Sequence, residues 1–248
     1  MAAELKSGEM VVSQGDKVVR SCLMNEPCDV SVVVEQGAQC VYHILCGGEL
    51  QGEVDSEVRF VLKKDSCLKL ILVDVARGTS QVNVNIELAE SGARFEFNGL
   101  YIVGRGDRKD VVLDVKHLVA DCYSSELMKG IAAEDGVGRF HGRIYVAQDA
   151  QRTEAYQQSR NLLLNNSARI FTEPQLEIYA DDVKCSHGAV VGQIEDEAVY
   201  YMRQRGIDEK AARNLLTEGF ASEIVWQIED EQYAEQIHDA IEERLSEI

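Results

Sequence analysis

Apolar and polar residues alternate along much of the chain, in short segments that are separated by turn residues. The clearest segment covers residues 81–88, where Val82, Val84, Ile86 and Leu88 share one side and polar residues share the other. Gly, Asn, Asp and Ser punctuate the segments, as is typical of strands joined by turns. The pattern therefore predicts a mostly β protein. The same alternation recurs at residues 66–75, 93–103, 110–119, 139–148 and 174–187.

Regular short strands of this kind allow a sandwich, a barrel or a β-solenoid. Residues 92–103 and 138–146 resemble each other in the placing of glycine and aromatic residues, and hairpin dipeptides are scarce. Both observations favour a solenoid, in which each coil stacks on the next and inward positions form apolar ladders. Residues 124–136 fit the alternation poorly and are at best one or two helical turns.

The pattern changes to helical spacing after about residue 194. A first helix is expected to end at Gly206, a second to begin at the N-cap Asp208 and end at Gly219, and a third to begin near Ser222. The predicted organisation is an N-terminal segment (1–28), a β-solenoid core (29–194) and a C-terminal helical region (195–248).

Composition narrows the class of protein. The chain has 248 residues and is 45% hydrophobic, which is enough for a real core. Against 25 Lys and Arg it has 43 Asp and Glu, a net charge of −18, which argues against binding to nucleic acid. No apolar run approaches the roughly 20 residues of a membrane span, and the first residues lack a secretory signal. A cytoplasmic protein with no membrane partner is expected.

The seven cysteines support a reducing compartment, because their number is odd and none forms a CxxC pair. Most are interpreted as small buried hydrophobic residues of strands.

The helical region carries much of the negative charge. Residues 191–248 contain 15 acidic and 5 basic residues, a net charge of −10. Two compatible interpretations follow: a solvated cap over the open end of the strand region, or a docking element for a partner.

Signatures of common catalytic sites are absent from the sequence, which contains no P-loop, no GxGxxG and no HExxH. His117 falls on the apolar side of a strand pattern and is interpreted as a core residue. Cys185 and His187 are two residues apart on a strand, so the thiol and the imidazole share a face. Such a pair suits soft and borderline metals, although it supplies only two ligands. The alternative is a pair packed at the end of the solenoid.

Residues 138–225 resemble the SufB/SufD family of iron–sulfur cluster assembly proteins. The similarity to the SufD branch is greatest at 174–189, which includes the run Lys184-Cys185-Ser186-His187-Gly188. Further matches follow in the family's order at 148–151, 161–164, 205–207 and 219–221.

The resemblance implies a right-handed parallel β-helix with a C-terminal α-helical region, which pairs with a SufB-like β-helix subunit. It also implies that the helical region docks a SufC-like ABC ATPase and that the protein itself is not an enzyme. His187, with Cys185, would lie at the subunit interface where the cluster forms, and His187 is the candidate metal ligand. The candidate residues for ATPase docking are Leu215, Leu216, Phe220 and Ile224.

No stably bound cofactor is expected, only transient iron or an Fe–S cluster at the subunit interface. Without its partner the chain is expected to form a homodimer. Family members are usually much longer and have an N-terminal helical segment, so we expect a naturally short form. The alternatives are a β-helix enzyme, such as a polysaccharide lyase or an acyltransferase, and a cytoplasmic metal-binding protein unrelated to cluster assembly.

Overall fold

The computed structural model describes residues 8–248, and fourteen strands and three helices make up this part of the chain. The strands are β1 (Gly8–Val12), β2 (Lys17–Leu23), β3 (Asp29–Val34), β4 (Gln39–Cys46), β5 (Glu49–Leu62), β6 (Cys67–Asp74), β7 (Arg77–Leu88), β8 (Arg94–Val103), β9 (Arg108–His117), β10 (Tyr123–Ala132), β11 (Val137–Val146), β12 (Glu154–Leu163), β13 (Arg169–Ile178) and β14 (Lys184–Gln193). The helices are α1 (Asp196–Arg203), α2 (Glu209–Val225) and α3 (Glu231–Ser246).

Odd-numbered and even-numbered strands form two separate sheets. Sheet A runs β1-β3-β5-β7-β9-β11-β13 and sheet B runs β2-β4-β6-β8-β10-β12-β14. Neighbouring strands pair in parallel, so each coil contributes one strand to each sheet. This arrangement is a parallel β-solenoid with a C-terminal helical region, as expected. The solenoid includes β1 and β2, so it begins before residue 29.

In the first six coils, the corner between the odd-numbered strand and the even-numbered strand that follows it is a tight turn with a residue in the left-handed region. The residues at this corner are Gly15, Gly37, Asp65, Gly92, Asp121 and Arg152, with φ between 55° and 80°. Each backbone N–H donates to a carbonyl of the next coil, which stacks the turns into a column. Arg152 is the least expected residue at such a position, and its guanidinium forms two hydrogen bonds of 2.6 and 2.7 Å to the Asp121 carboxylate.

The first core fills the space between the two sheets. Inward residues on neighbouring strands stack in register, as with Val58, Val84 and Leu113 along sheet A. The alternation at residues 82–88 is confirmed, because all four apolar side chains there are buried. His117 is also buried, as predicted, and five of the seven cysteines are buried without forming disulfides. Residues 124–136 contain strand β10 and no helix, because their alternate side chains fill this core.

The second core lies on the outer face of sheet B. Outward apolar residues of β6, β8 and β10 pack against α2 and α3, whose contributions include Ala221, Ile224, Ile237 and Ile241. The helices therefore fold back along the side of the solenoid and do not cap its open end. The ring of Tyr233 on α3 stacks on His43 of β4 at a centroid distance of 4.6 Å.

The helix boundaries differ in part from the sequence prediction. Asp208 caps α2 as expected, accepting a hydrogen bond of 3.1 Å from the Ala211 N–H. Gly219 does not end this helix, which continues to Val225 because Ala221 and Ile224 pack on sheet B. The third helix begins at the N-cap Asp230, not near Ser222. None of the helices in residues 8–248 is long and apolar enough to span a membrane.

Candidate functional site

The last coil of the solenoid carries the two residues that the sequence singled out. Within residues 8–248, β13 and β14 are the end strands of their sheets and each pairs with one neighbouring strand. Cys185 lies in register with Ala155 of β12, and His187 lies in register with Gln157. Both partners are buried between the sheets, so Cys185 and His187 share the inward side of β14, as the spacing predicted. We call this last coil, residues 169–193, the open end.

The environments of the two residues differ. The side chain of Cys185 is half-buried and packs against a small apolar cluster that includes Ile144, Ala150 and Ala155. Burial raises the pKa of its thiol, while a hydrogen bond with the backbone of Ala155 acts in the opposite direction. His187 is exposed, because no further strand covers its outer side. An accessible imidazole therefore stands beside a thiol that is held in its neutral form.

The interior of the solenoid is polar in the coils next to the open end, as it also is around the buried Asp74–Lys109 ion pair nearer the middle. Inward residues of β6 and β8 are mainly apolar, whereas β10 and β12 place five polar residues between the sheets. Asn161 is the best satisfied, since it accepts a hydrogen bond from the Tyr101 hydroxyl and donates to Ser159 and to the carbonyl of Val190. The five polar residues are Ser124, Glu126, Gln157, Ser159 and Asn161.

Glu126 is the most perturbed carboxyl group in this polar interior. It is 2% exposed, and burial raises its pKa to about 8. Its Oε2 accepts a hydrogen bond of 2.5 Å from the Gln157 amide. An ordinary carboxyl is ionised near neutral pH, whereas this one retains its proton over much of that range.

The Gln157 side chain crosses the interior towards sheet A. A Cβ added to Gly142 of β11 would lie 2.5 Å from the Gln157 Nε2 atom, so the absence of a side chain at Gly142 makes room for the amide. Gln157 is 1% exposed and lies one strand beneath His187. Glu126, Gln157 and His187 therefore form one ladder that ends at the open end.

Sequence reasoning missed Glu126 and Gln157. The sequence pattern allows at most one or two helical turns at residues 124–136, and helical turns would not place Glu126 beneath residue 157. The signal that could have found it is the period of two in Ser124, Glu126 and Met128, which marks one face of a strand.

The candidate residues for ATPase docking occupy different environments. Ile224 is buried in the second core, and Phe220 packs against that core beside Lys129, whose Nζ donates a hydrogen bond of 2.7 Å to the Phe220 carbonyl. Leu216 is half-buried, and Leu215 is 47% exposed. Leu215 is therefore the most exposed member of the set and the one most available to a partner.

A second group of possible metal ligands lies on α3. His238, Asp239 and Glu242 bring their ligand atoms within 4.8 Å of one another, the only such group of three His, Cys, Asp or Glu residues in the described part of the chain. Glu218 also approaches His238, at 3.5 Å. Exposed acidic side chains commonly gather in this way, so the group carries no further argument.

Comparison with known proteins agrees with this arrangement. A family model described as the SufBD core domain of SUF system FeS cluster assembly matches residues 22–220. The iron-sulfur cluster assembly protein SufD of Escherichia coli is 37% identical over 163 residues, which are 66% of this chain and 38% of that protein. A SufBD family protein of Synechocystis is 38% identical over 165 residues, 66% of this chain and 36% of that protein.

A SufBD family protein of Mycobacterium leprae matches over a longer stretch, with 34% identity over 194 residues, 75% of this chain and 50% of that protein. The chain spans half or less of the length of these three curated relatives. The family model nevertheless covers most of the solenoid and reaches into α2. The chain therefore belongs to the SufBD family of the SUF iron–sulfur cluster assembly system.

Proposed function

We propose that the chain is a SufD-like scaffold subunit that pairs with a SufB-like β-helix subunit through its open end. The observation that supports this most directly is the position of Cys185 and His187 on an end strand whose outer edge has no partner in residues 8–248. Unpaired strand edges favour association with another chain. Exposed apolar side chains on β13 and β14, namely Phe171, Val190 and Val191, are 40–56% exposed and favour the same association.

The cargo is iron or a nascent iron–sulfur cluster, held transiently between the two subunits. Imidazole nitrogen and thiolate sulfur both ligate iron, and two ligands from this chain leave further positions for the partner. Because burial keeps the Cys185 thiol protonated, arrival of a metal must displace its proton. In this proposal the chain is a scaffold and not an enzyme, and it acts in a reducing compartment such as the cytoplasm.

The helical region docks a SufC-like ABC ATPase. The inner sides of α2 and α3 are used by the second core, so a partner contacts their outer sides and α1. Leu215 lies there together with three aromatic residues. Their side chains, Tyr200, Tyr201 and Trp226, are each more than half exposed. Aromatic residues of this kind are frequent at the energetic centres of protein interfaces.

Co-expression with a SufB-like subunit and a SufC-like ATPase tests the pairing and the role of His187. The complex should co-purify, and His187→Ala should leave its assembly and melting temperature unchanged while lowering cluster formation. His141→Ala is the matched control, because His141 is a partly exposed strand histidine on the outer face of sheet A. Normal cluster formation by His187→Ala would show that His187 does not take part in cluster formation. Failure of the native chain to capture a SufB-like subunit would overturn the proposal as a whole.

ATPase docking is tested separately with Leu215→Asp. This change should weaken capture of the ATPase without lowering the melting temperature, because Leu215 contributes little to either core. Val11→Asp is the control, since Val11 is 60% exposed on β1 of sheet A, on the other side of the solenoid from the second core. Equal capture by the two variants would place the docking surface elsewhere.

A further inference from the structure

Two cysteine thiols meet at the corner where the chain passes from β2 to β3. Cys22 lies near the end of β2, Cys28 directly precedes β3, and their side chains are 3% and 8% exposed. The Cys22 thiol donates a hydrogen bond to the Cys28 sulfur. Both cysteines are reduced in this structure, so their sulfur atoms lie in contact without a covalent bond.

The next coil fixes the backbone on both sides of this corner. The Met24 N–H donates a hydrogen bond of 2.8 Å to the carbonyl of Leu45 on β4. The Cys28 carbonyl accepts a hydrogen bond of 2.8 Å from the Glu57 N–H on β5. The two thiols are therefore held side by side, and proximity of this kind favours a reaction between them.

Polar groups surround the two sulfur atoms, which distinguishes the pair from two thiols that only fill space in an apolar core. The Ser56 hydroxyl accepts a hydrogen bond of 3.2 Å from the Cys28 N–H and also hydrogen-bonds with the Cys28 thiol. The Tyr42 hydroxyl hydrogen-bonds with the Cys22 thiol. Hydrogen bonds of this kind stabilise a thiolate when one forms.

Cys28 is the member of the pair that is prepared to react. The hydrogen bond from the Cys22 thiol, helped by that of Ser56, lowers the pKa of Cys28 to about 7, although burial and Asp29 act to raise it. Burial instead raises the pKa of the Cys40 thiol to about 12. A thiolate, and not a thiol, attacks a disulfide, so Cys28 is the attacking group and Cys22 the one that completes the exchange.

We propose that Cys22 and Cys28 form a reversible disulfide, which cross-links β2 to β3 when low-molecular-weight disulfides accumulate. The Cys28 thiolate attacks one sulfur of such a disulfide, and the other sulfur leaves as a thiolate. The Cys22 thiol then loses its proton and attacks the Cys28 sulfur, which releases the second small thiolate. In total the two cysteines lose two protons and two electrons, and the small disulfide becomes two thiols.

The pair lies in the first coils of the solenoid, at the opposite end from Cys185, and the proposal does not depend on the proposed function. In a reducing compartment the two cysteines stay as thiols, and a rise in the ratio of disulfide to thiol converts them. The cross-link restrains the corner between β2 and β3, because it closes a loop in the unfolded chain.

The test is equilibration of the full chain in glutathione buffers of increasing oxidised fraction, followed by acid quenching, denaturation, alkylation and measurement of the intact mass. The native chain should lose two alkylation sites without gaining glutathione at them, and it should run as a single chain on a non-reducing gel. Glutathione on the half-buried Cys67 or Cys185 adds its own mass and is counted separately.

Two variants assign the roles within the pair. Cys22→Ser should carry one glutathione more than the native chain, because the thiol that releases it from Cys28 is absent. Cys28→Ser should form no internal disulfide, and Cys22 in it should react with oxidised glutathione at least about tenfold more slowly than Cys28 does in Cys22→Ser.

Cys46→Ser is the matched control. Cys46 is a buried thiol of β4, 1% exposed, and burial raises its pKa well above the ordinary value. This variant should form the disulfide as the native chain does. Where serine lowers the melting temperature of a variant, alanine replaces it, because alanine keeps the buried position apolar.

Hydrogen exchange measures the restraint itself. Backbone amides of residues 17–34 should exchange more slowly in the oxidised chain than in the reduced chain, whereas those of residues 169–193 should be unaffected. Equal exchange at residues 17–34 would overturn the cross-link as a restraint. The disulfide itself would be overturned by a native chain that keeps all its alkylation sites in the most oxidising buffer, by an unchanged loss of two sites in Cys22→Ser, or by its absence in Cys46→Ser.

Discussion

His43 joins the solenoid to its last helix through a buried imidazole. It is 1% exposed and stacks on Tyr233, and its Nδ1 lies 3.3 Å from the Ser21 hydroxyl. Burial is the largest influence on its pKa, which falls to about 4 even though Asp230 and Glu229 act to raise it. Lys69 adds to the lowering. The folded protein therefore holds His43 neutral over the range in which an exposed histidine becomes charged.

The low pKa of His43 predicts a loss of stability in acid. Below about pH 6.5, the pKa of an unfolded histidine, the unfolded chain binds a proton that the folded chain does not bind. The free energy of unfolding therefore falls as the pH decreases from about 6.5 to 4. His43 should account for up to about 3 kcal/mol of this loss. Urea denaturation at several pH values should show a shallower loss for His43→Gln than for the native chain.

His117 provides the internal reference for that measurement. Burial also lowers its pKa to about 4, so it contributes a loss in the same direction that both proteins retain. The difference between the two pH profiles therefore isolates His43. Identical profiles would show that His43 is already charged in the folded protein.

At the scale of single residues, the alternation of apolar and polar residues was sufficient to predict that His117 lies in the core. It also predicted that Cys185 and His187 share one face of a strand. It could not reveal Glu126 and Gln157 as partners, because they are 31 residues apart and become neighbours only when β10 and β12 stack. The register of a parallel solenoid depends on coil length, and no local pattern reports it.

At the scale of the structural elements, the coils differ in length. This variation hides the repeat in the sequence. Successive turn residues in the column that begins at Gly15 are 22 to 31 residues apart. Glycine, aspartate and arginine share the same left-handed position, so the column has no sequence signature. The strand content and the preference for a solenoid were predictable, whereas the coil boundaries were not.

The helices show why a residue that commonly ends a helix, such as glycine, can fail to end one. Gly219 was expected to end α2, yet the helix continues through it, because the packing of Ala221 and Ile224 on sheet B outweighs the roughly 1 kcal/mol cost of an internal glycine. The acidic composition of the helical region did not reveal that its apolar side would cover the flank of the solenoid.

Helix α3 should depend strongly on its buried side. Ile241 is 2% exposed within the second core, and Arg244 pairs with Asp107 near the end of the helix. Ile241→Ala should lower the free energy of unfolding by about 2–4 kcal/mol, because it leaves a cavity against sheet B. Thermal and urea denaturation provide the measurement.

Glu235→Ala is the matched control on the same helix, because Glu235 is exposed, and it should change stability by less than about 0.5 kcal/mol. Equal stabilities of the two variants would mean that α3 does not pack on the solenoid in solution.

At the scale of the whole molecule, the flank of the solenoid and its last coil differ in how their apolar side chains are covered. The outer face of sheet B is covered by helices along β6, β8 and β10, whereas β13 and β14 keep exposed apolar side chains. The buried pair of Glu126 and Gln157 also lies next to this last coil. In the proposed function, a partner subunit would cover this coil.

The open end should also mediate self-association when no SufB-like partner is present. We expect a homodimer in which the end strands of two copies meet, and sedimentation equilibrium at micromolar concentrations measures it. Val190→Lys should weaken the dimer by at least about tenfold, because two like charges would face each other across the edge. Val11→Lys adds the same charge at a residue of similar exposure, 60% against 56%, on β1 at the opposite end. A native chain that is monomeric throughout, or a dimer weakened equally by both changes, would place self-association away from the open end.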